Sequence, residues 1–340
     1  MGIVAAMTPD TAPGPQPDPA PDPAPDAAPD PLVPVALDAS AAPRPDPDVA
    51  PEGFLVTADD GTRIHFHDWG GPARGAFGVV LVPGVLQPAW SWAPVARRLA
   101  GERRTVVVDL RGHGLSDAPA DGYDLDTLAA DVVVAVEGSG AIDGGAVVLA
   151  GHGFGAAVAA RAAVLLGRRC AGVVLVDGGW ERLEATTGLD VGEFLRGLDE
   201  PPEVLRSMDA YLGDRRDFDP ATWDADQERA ARDSVVETAA GRVVRAVRPH
   251  VVEAAVRTMF AHDPAVVLAA VEAPVFALVA LGAGEPAAAG ARLAELRRAA
   301  GARVAAGRGA IRVAGFRGVG HNLMRYRAAD VAEAILAPSG

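Results

Sequence analysis

The chain has 340 residues, 49% of them hydrophobic and 22% charged, with a formal net charge of −14 and no lysine. That acidity argues against nucleic acid or an anionic membrane as the main partner, and the missing lysine excludes Schiff-base chemistry and a Walker-type phosphate loop. A single cysteine, Cys170, excludes an internal disulfide, and its setting in "GRRCAGVVLV" points to packing at a helix-to-strand junction.

Residues 1–50 hold half of the 28 prolines and eight aspartates against one arginine, Arg44. Such a composition has little to bury, so a disordered acidic tail is expected there. The start "MGIVAAMTPD" lacks the basic and apolar regions of a secretion signal and fails the myristoylation pattern, which makes a cytoplasmic location the expectation.

From residue 53 the pattern changes. "FLVTADDGTRIHFHDW" predicts a hairpin turned at Asp60-Gly61. Continuous apolar runs follow at 78–82, 105–110, 146–150, 172–177, 274–281 and 310–316. Their lack of alternation suits parallel strands covered on both faces, with helical stretches such as "LDTLAADVVVAV" and "ARLAELRRAAG" between them. Residues 180–272 contain no convincing buried strand but carry helical patterns, so they are expected to form a helical cap over the sheet. The organisation predicted is an α/β core over 51–179 and 273–340, with the cap inserted.

The segment "VVLAGHGFGAAVAARAA" (147–163) runs from strand through a glycine cluster into helix. Gly151-His152-Gly153-Phe154-Gly155-Ala156 fits the dinucleotide-binding turn G-x-G-x-x-G/A, with Asp177 placed to hold a ribose hydroxyl; on that reading the protein is a nucleotide-binding oxidoreductase. The same residues also fit a nucleophile elbow, G-x-S-x-G, with glycine in the serine position.

The second reading accounts for residues far from the turn. In order, "LVPGVLQPAWSW", "VVVDLRGHGLSDAP", "LAGHGFGAAVA", "VLVDGGW", "PVFALVAL" and "GVGHNLM" resemble the landmarks of the α/β-hydrolase superfamily over about residues 53–338. The resemblance implies that fold: a mostly parallel sheet, helices on both faces and an inserted cap. It also implies site roles. Gly153 occupies the nucleophile position but offers no side chain to attack with. His321 matches the catalytic base, and its acid partner is either Glu285, in "LGAGEP", or Asp177, with Glu285 slightly preferred. Backbone N–H groups of Val85 and Phe154 would form the oxyanion hole, although Pro83 stands where members usually carry histidine.

Other residues have plainer expectations. His65 and His67 share one strand face at metal-ligand spacing, but no third ligand lies nearby in sequence, so no metal is expected and a surface hairpin is. Ser91 and Ser116 lie on neighbouring loops, off the elbow. Trp90, Trp92, Trp180, Trp223, Met259 and Phe260 are candidates to line a pocket for a small, largely apolar molecule of ester, lactone or epoxide type. No cofactor is expected. The functional expectation is an impaired or repurposed hydrolase; the alternatives are a non-covalent hydrolase, lyase or oxygenase driven by His321, and the oxidoreductase above.

Overall fold

Buried β-branched runs build the centre of the molecule. The computed structural model describes residues 30–72, 77–198, 207–282 and 286–337. Eleven strands occur among them: β1 (Leu32–Pro34), β2 (Glu52–Thr57), β3 (Arg63–Asp68), β4 (Gly78–Val82), β5 (Thr105–Val108), β6 (Val147–His152), β7 (Cys170–Val176), β8 (Val235–Glu237), β9 (Val243–Arg245), β10 (Val275–Ala280) and β11 (Ile311–Phe316). Every residue of β4, β5, β6 and β10 is buried, as continuous Val/Leu/Ala runs require when both faces are covered.

Nine strands form one sheet in the order β1-β11-β10-β7-β6-β4-β5-β3-β2. The hairpin β2–β3 is antiparallel and docks antiparallel on β5, while the pairs from β5 through β1 are parallel. The helices are α1 (Ala93–Leu99), α2 (Leu125–Gly138), α3 (Phe154–Leu166), α4 (Leu183–Thr187), α5 (Val191–Leu198), α6 (Met208–Phe218), α7 (Ala225–Asp233), α8 (Pro249–Ala261), α9 (Pro264–Ala270), α10 (Pro286–Ala305), α11 (Leu323–Tyr326) and α12 (Ala328–Leu336). One sheet face packs against α2, α3, α9 and α10, the other against α1 and α12. This is the arrangement that the α/β-hydrolase resemblance implies.

Two expectations need correction. Residues 30–50 are not a free tail. β1 pairs with the outer edge of β11, in register Leu32 with Ile311, and Leu32 is buried. Val35, Leu37 and Val49 pack on the α1/α12 face, and Arg98 Nη1 donates to the Pro43 carbonyl at 2.8 Å. An apolar "LVPVAL" beside an open strand edge outweighs the proline-rich setting. The remaining tail residues, 1–29, lie outside the described chain.

The segment between β7 and β10 is not purely helical either. It carries α4 to α9 and a short antiparallel hairpin, β8–β9. Tyr211, Leu212, Val235 and Val243 form a separate small core there, whereas α8 and α9 bury Val251, Val256 and Leu268 in the main one. Cys170 opens β7, is buried, and has its thiol pushed up to about 12 by that burial.

Candidate active site

The strand ends of β6 and β7 set the geometry. The chain leaves β6 through Gly153, whose φ of 53° and ψ of −119° place it in a region that side chains rarely tolerate, and enters α3 at Phe154. Close packing explains the next glycine of the cluster. A Cβ on Gly155 would lie 2.2 Å from the Pro83 carbonyl oxygen, so helix and neighbouring loop touch only because none is there. Steric fit thus accounts for the glycine pattern without a bound dinucleotide.

Asp177 follows β7 with a φ of +48°, unusual for a non-glycine residue. Its carboxylate is 1% exposed and fully engaged. Oδ1 accepts from the Ala280 amide at 2.8 Å and from Arg292 Nη2 at 2.9 Å. Oδ2 accepts from His321 Nδ1 at 2.6 Å. Burial alone would raise the Asp177 pKa, but the bonds and charges from His321 and Arg292 outweigh it and hold the carboxyl below its ordinary range. A carboxylate 1% exposed and already bonded at both oxygens is poorly placed for a ribose, which does not favour the oxidoreductase reading.

His321 sits on the loop between β11 and α11, and its side chain is 58% exposed. With Nδ1–H given to Asp177, Nε2 is the accepting nitrogen. An ideal Cβ built on Gly153 would stand 3.3 Å from that Nε2, so the elbow and the imidazole face each other directly. Of the two acids weighed from sequence, Asp177 is the one bonded to the imidazole; Glu285 lies outside the described residues. The preference for Glu285 fails because Asp177, ending the adjacent strand, already fills the position beside Nδ1.

A second histidine braces the first. His152 is buried, its Nε2 is 3.0 Å from the His321 carbonyl oxygen, and the two rings lie 4.2 Å apart. Its Nδ1 is 2.8 Å from Oε1 of Gln87, whose Nε2 donates to Asn322 at 3.0 Å. Burial, with help from His321, lowers the His152 pKa to about 3; a neutral ring carries one N–H, so it donates to only one of the two oxygens it faces, the His321 carbonyl or Gln87 Oε1. Arg292 extends the network outward. It lies between Asp177 and Glu181, with Nη2 2.8 Å from Glu181 Oε1. Burial raises the Glu181 pKa.

A cavity of about 670 Å³ opens over this pair, lined by the elbow, His321 and Asp177 and, from the inserted segment, by Leu183, Phe194, Leu198 and Met259. Val85 and Phe154 also line it, and their backbone N–H groups donate to no acceptor among the described residues. Of the aromatic and methionine candidates, Met259 lines this cavity. Trp92 and Trp180 are core residues, Phe260 packs edge-on against Phe194, and Trp223 lines a second cavity. Ser91 lines that second cavity too, and Ser116 braces a loop by donating to the Asp109 carbonyl at 2.6 Å. Neither serine lines the cavity at His321.

Sequence spacing missed a third member of the His65–His67 pair. Asp109 joins them, bringing three ligand-type atoms within 4.8 Å. His65 Nδ1 bonds Asp109 Oδ2 at 2.9 Å, and Asp109 also accepts from the amides of Ala89 and Leu115. These bonds make Asp109 a brace for the "DLRGHGLSD" loop, and His65, 4% exposed, is buried in β3 and not at the surface position expected for it.

A sequence profile described as the alpha/beta hydrolase family matches residues 79–334. The chain belongs to the alpha/beta hydrolase family. N-formylmaleamate deformylase of Pseudomonas putida is 38% identical over 119 residues, covering 35% of this chain and 42% of that protein. Non-heme chloroperoxidase of Streptomyces lividans is 39% identical over 107 residues, covering 31% and 37%. The matched stretches span less than half the length of these relatives. The crystal structure of E-2-(acetamidomethylene)succinate hydrolase aligns over 85% of this chain and 99% of that one, with a TM-score of 0.67 at 19% identity, a likeness of fold. No helix among the described residues is long and apolar enough to cross a membrane.

Gln87, Glu181, Phe194 and Arg292 escaped the sequence reading. Arg292 lies 115 residues from Asp177 on an arginine-rich helix, and nothing in its neighbourhood distinguishes it from Arg297 or Arg298.

Proposed function

We propose that this alpha/beta hydrolase family member is a repurposed hydrolase that binds a small, largely apolar molecule and acts on it without a covalent intermediate. The supporting observation is the pairing of an intact imidazole–carboxylate unit, at 2.6 Å, with a glycine in the position that faces it. Gly153 brings no hydroxyl, so no acyl-enzyme forms there. Water beside Gly153 takes the nucleophile's place. Its oxygen attacks the substrate carbonyl carbon while a proton passes to His321 Nε2. Asp177 stabilises the imidazolium, and the Val85 and Phe154 amides receive the developing oxyanion. Collapse expels the leaving group, which takes the proton back from His321.

This route is slow on the family's scale. Losing the nucleophile typically costs about a millionfold, and roughly 10³–10⁴ over water survives from binding and the oxyanion hole. N-formylmaleamate, which names one of the relatives, is a small molecule of a size that suits this cavity. The test is p-nitrophenyl acetate hydrolysis by the protein and by His321→Ala. The expected result is slow turnover with no initial burst and no acetyl adduct by intact mass, abolished in His321→Ala. A burst with an adduct, or turnover indifferent to His321→Ala, overturns the reading.

A further inference from the structure

A second cavity of about 340 Å³ abuts the first, sharing Leu86 and Gln87 as a common wall, with Asn322 on its own side next to His321. In a chain of net charge −14, the described residues lining it include three arginines, Arg215, Arg245 and Arg325, and no carboxylate.

Two of these guanidinium groups are held by one edge only. Arg325 gives Nε to Thr222 Oγ1 at 2.6 Å and Nη2 to the Asp219 carbonyl at 3.0 Å, with the Asp219 carboxylate 3.9 Å away. Arg245 gives Nη2 to the Leu198 carbonyl. The remaining N–H groups of Arg245 bond nothing among the described residues, and no described carboxylate pairs with it. The wall also carries a buried hydroxyl, Ser91 Oγ, with no partner among the described residues. A partly buried cation without a counter-charge is costly unless a ligand supplies one.

We infer that this cavity is a binding site for a small organic carboxylate. Among the described residues the charge left unanswered is that of Arg245, since Arg325 already has Asp219 nearby, and one positive charge suits a monoanion. Trp223, Val247 and Met324 offer apolar surface for the acid's hydrocarbon body, and Gln227, Ser234 and Asn322 make the wall between them polar. The carboxylate is either the acid end of the molecule held at His321 or a separate molecule. The site does not rest on the chemistry proposed for His321.

Calorimetric titration of the full chain with sodium octanoate, and with neutral octanamide, tests this. Octanoate is expected to bind at least about tenfold more tightly than octanamide, and Arg245→Met is expected to erase that preference, as loss of a charge-assisted hydrogen bond does. Arg245→Gln serves as a second variant, and a thermal melt of each checks its fold. Met259→Trp, which narrows the first cavity, separates the two sources. Weakened octanoate binding identifies the acid end of the His321 ligand, unchanged binding a separate molecule, and the Arg245 site stands in both cases. Equal binding of acid and amide, no octanoate binding at millimolar concentration, or a preference that survives in a folded Arg245 variant overturns the inference.

Discussion

At the scale of single residues, the site depends on what Asp177 does with its two oxygens. One is taken by Arg292 and the Ala280 amide, which fix the carboxylate; the other orients His321. Asp177→Asn keeps the shape but removes the charge that steadies the imidazolium. It should lower the His321-dependent rate by about a hundredfold or more, measured as kcat at pH 7–8. Gly153 carries the opposite lesson, because its backbone angles favour the residue it has. Gly153→Ala should lose about 1–3 kcal/mol in urea unfolding, from strain at φ 53° and from a methyl 3.3 Å from His321 Nε2. Sequence revealed Gly153 and His321 because each sits in a short motif. It could not rank Asp177 over Glu285, since that choice turns on how closely two strand ends approach in space.

At the scale of elements, close approach and buried polar ties hold the site's supports. α3 reaches the Pro83 loop only because Gly155 lacks a Cβ. Gly155→Ala should therefore cost at least about 1–3 kcal/mol and shift the elbow, seen as a lowered melting temperature. On the far side, Arg303 of α10 is 1% exposed and donates to the carbonyls of Leu268, Val271, Ala273 and Gly309. Burial lowers its pKa to about 10. Arg303→Met leaves those carbonyls without partners and should destabilise the protein by about 3 kcal/mol in the same assay. The long buried strands were legible as continuous apolar runs, whereas β8 and β9 were not. Three residues each, and largely exposed, they carry no periodic signal, and their pairing comes from a small core of their own. β1 was hidden for a different reason, because composition reports the average of a segment and not the apolar stretch within it.

At the scale of the whole molecule, buried neutral histidines tie stability to pH. His152 has a folded pKa near 3 against an ordinary 6.5, and burial lowers His113 in the same direction. Below pH 6.5 the unfolded chain binds protons that the folded one does not. Their contribution is thus full above pH 6.5 and is lost as the pH falls toward the folded values. Each such group should remove up to about 1.4 kcal/mol per pH unit in that window. Urea unfolding at pH 7.0 and 5.5 should show the drop, and His152→Asn should reduce it.

On the proposed reading, the His321–Asp177 pair is competent and the nucleophile is what the site lacks. Gly153→Ser tests it most directly, with p-nitrophenyl acetate as substrate and intact-protein mass as readout. The predicted result is a burst of p-nitrophenol matched by an acetyl adduct on the introduced hydroxyl, both lost when His321→Ala is added. A folded Gly153→Ser protein with neither burst nor adduct would contradict the account.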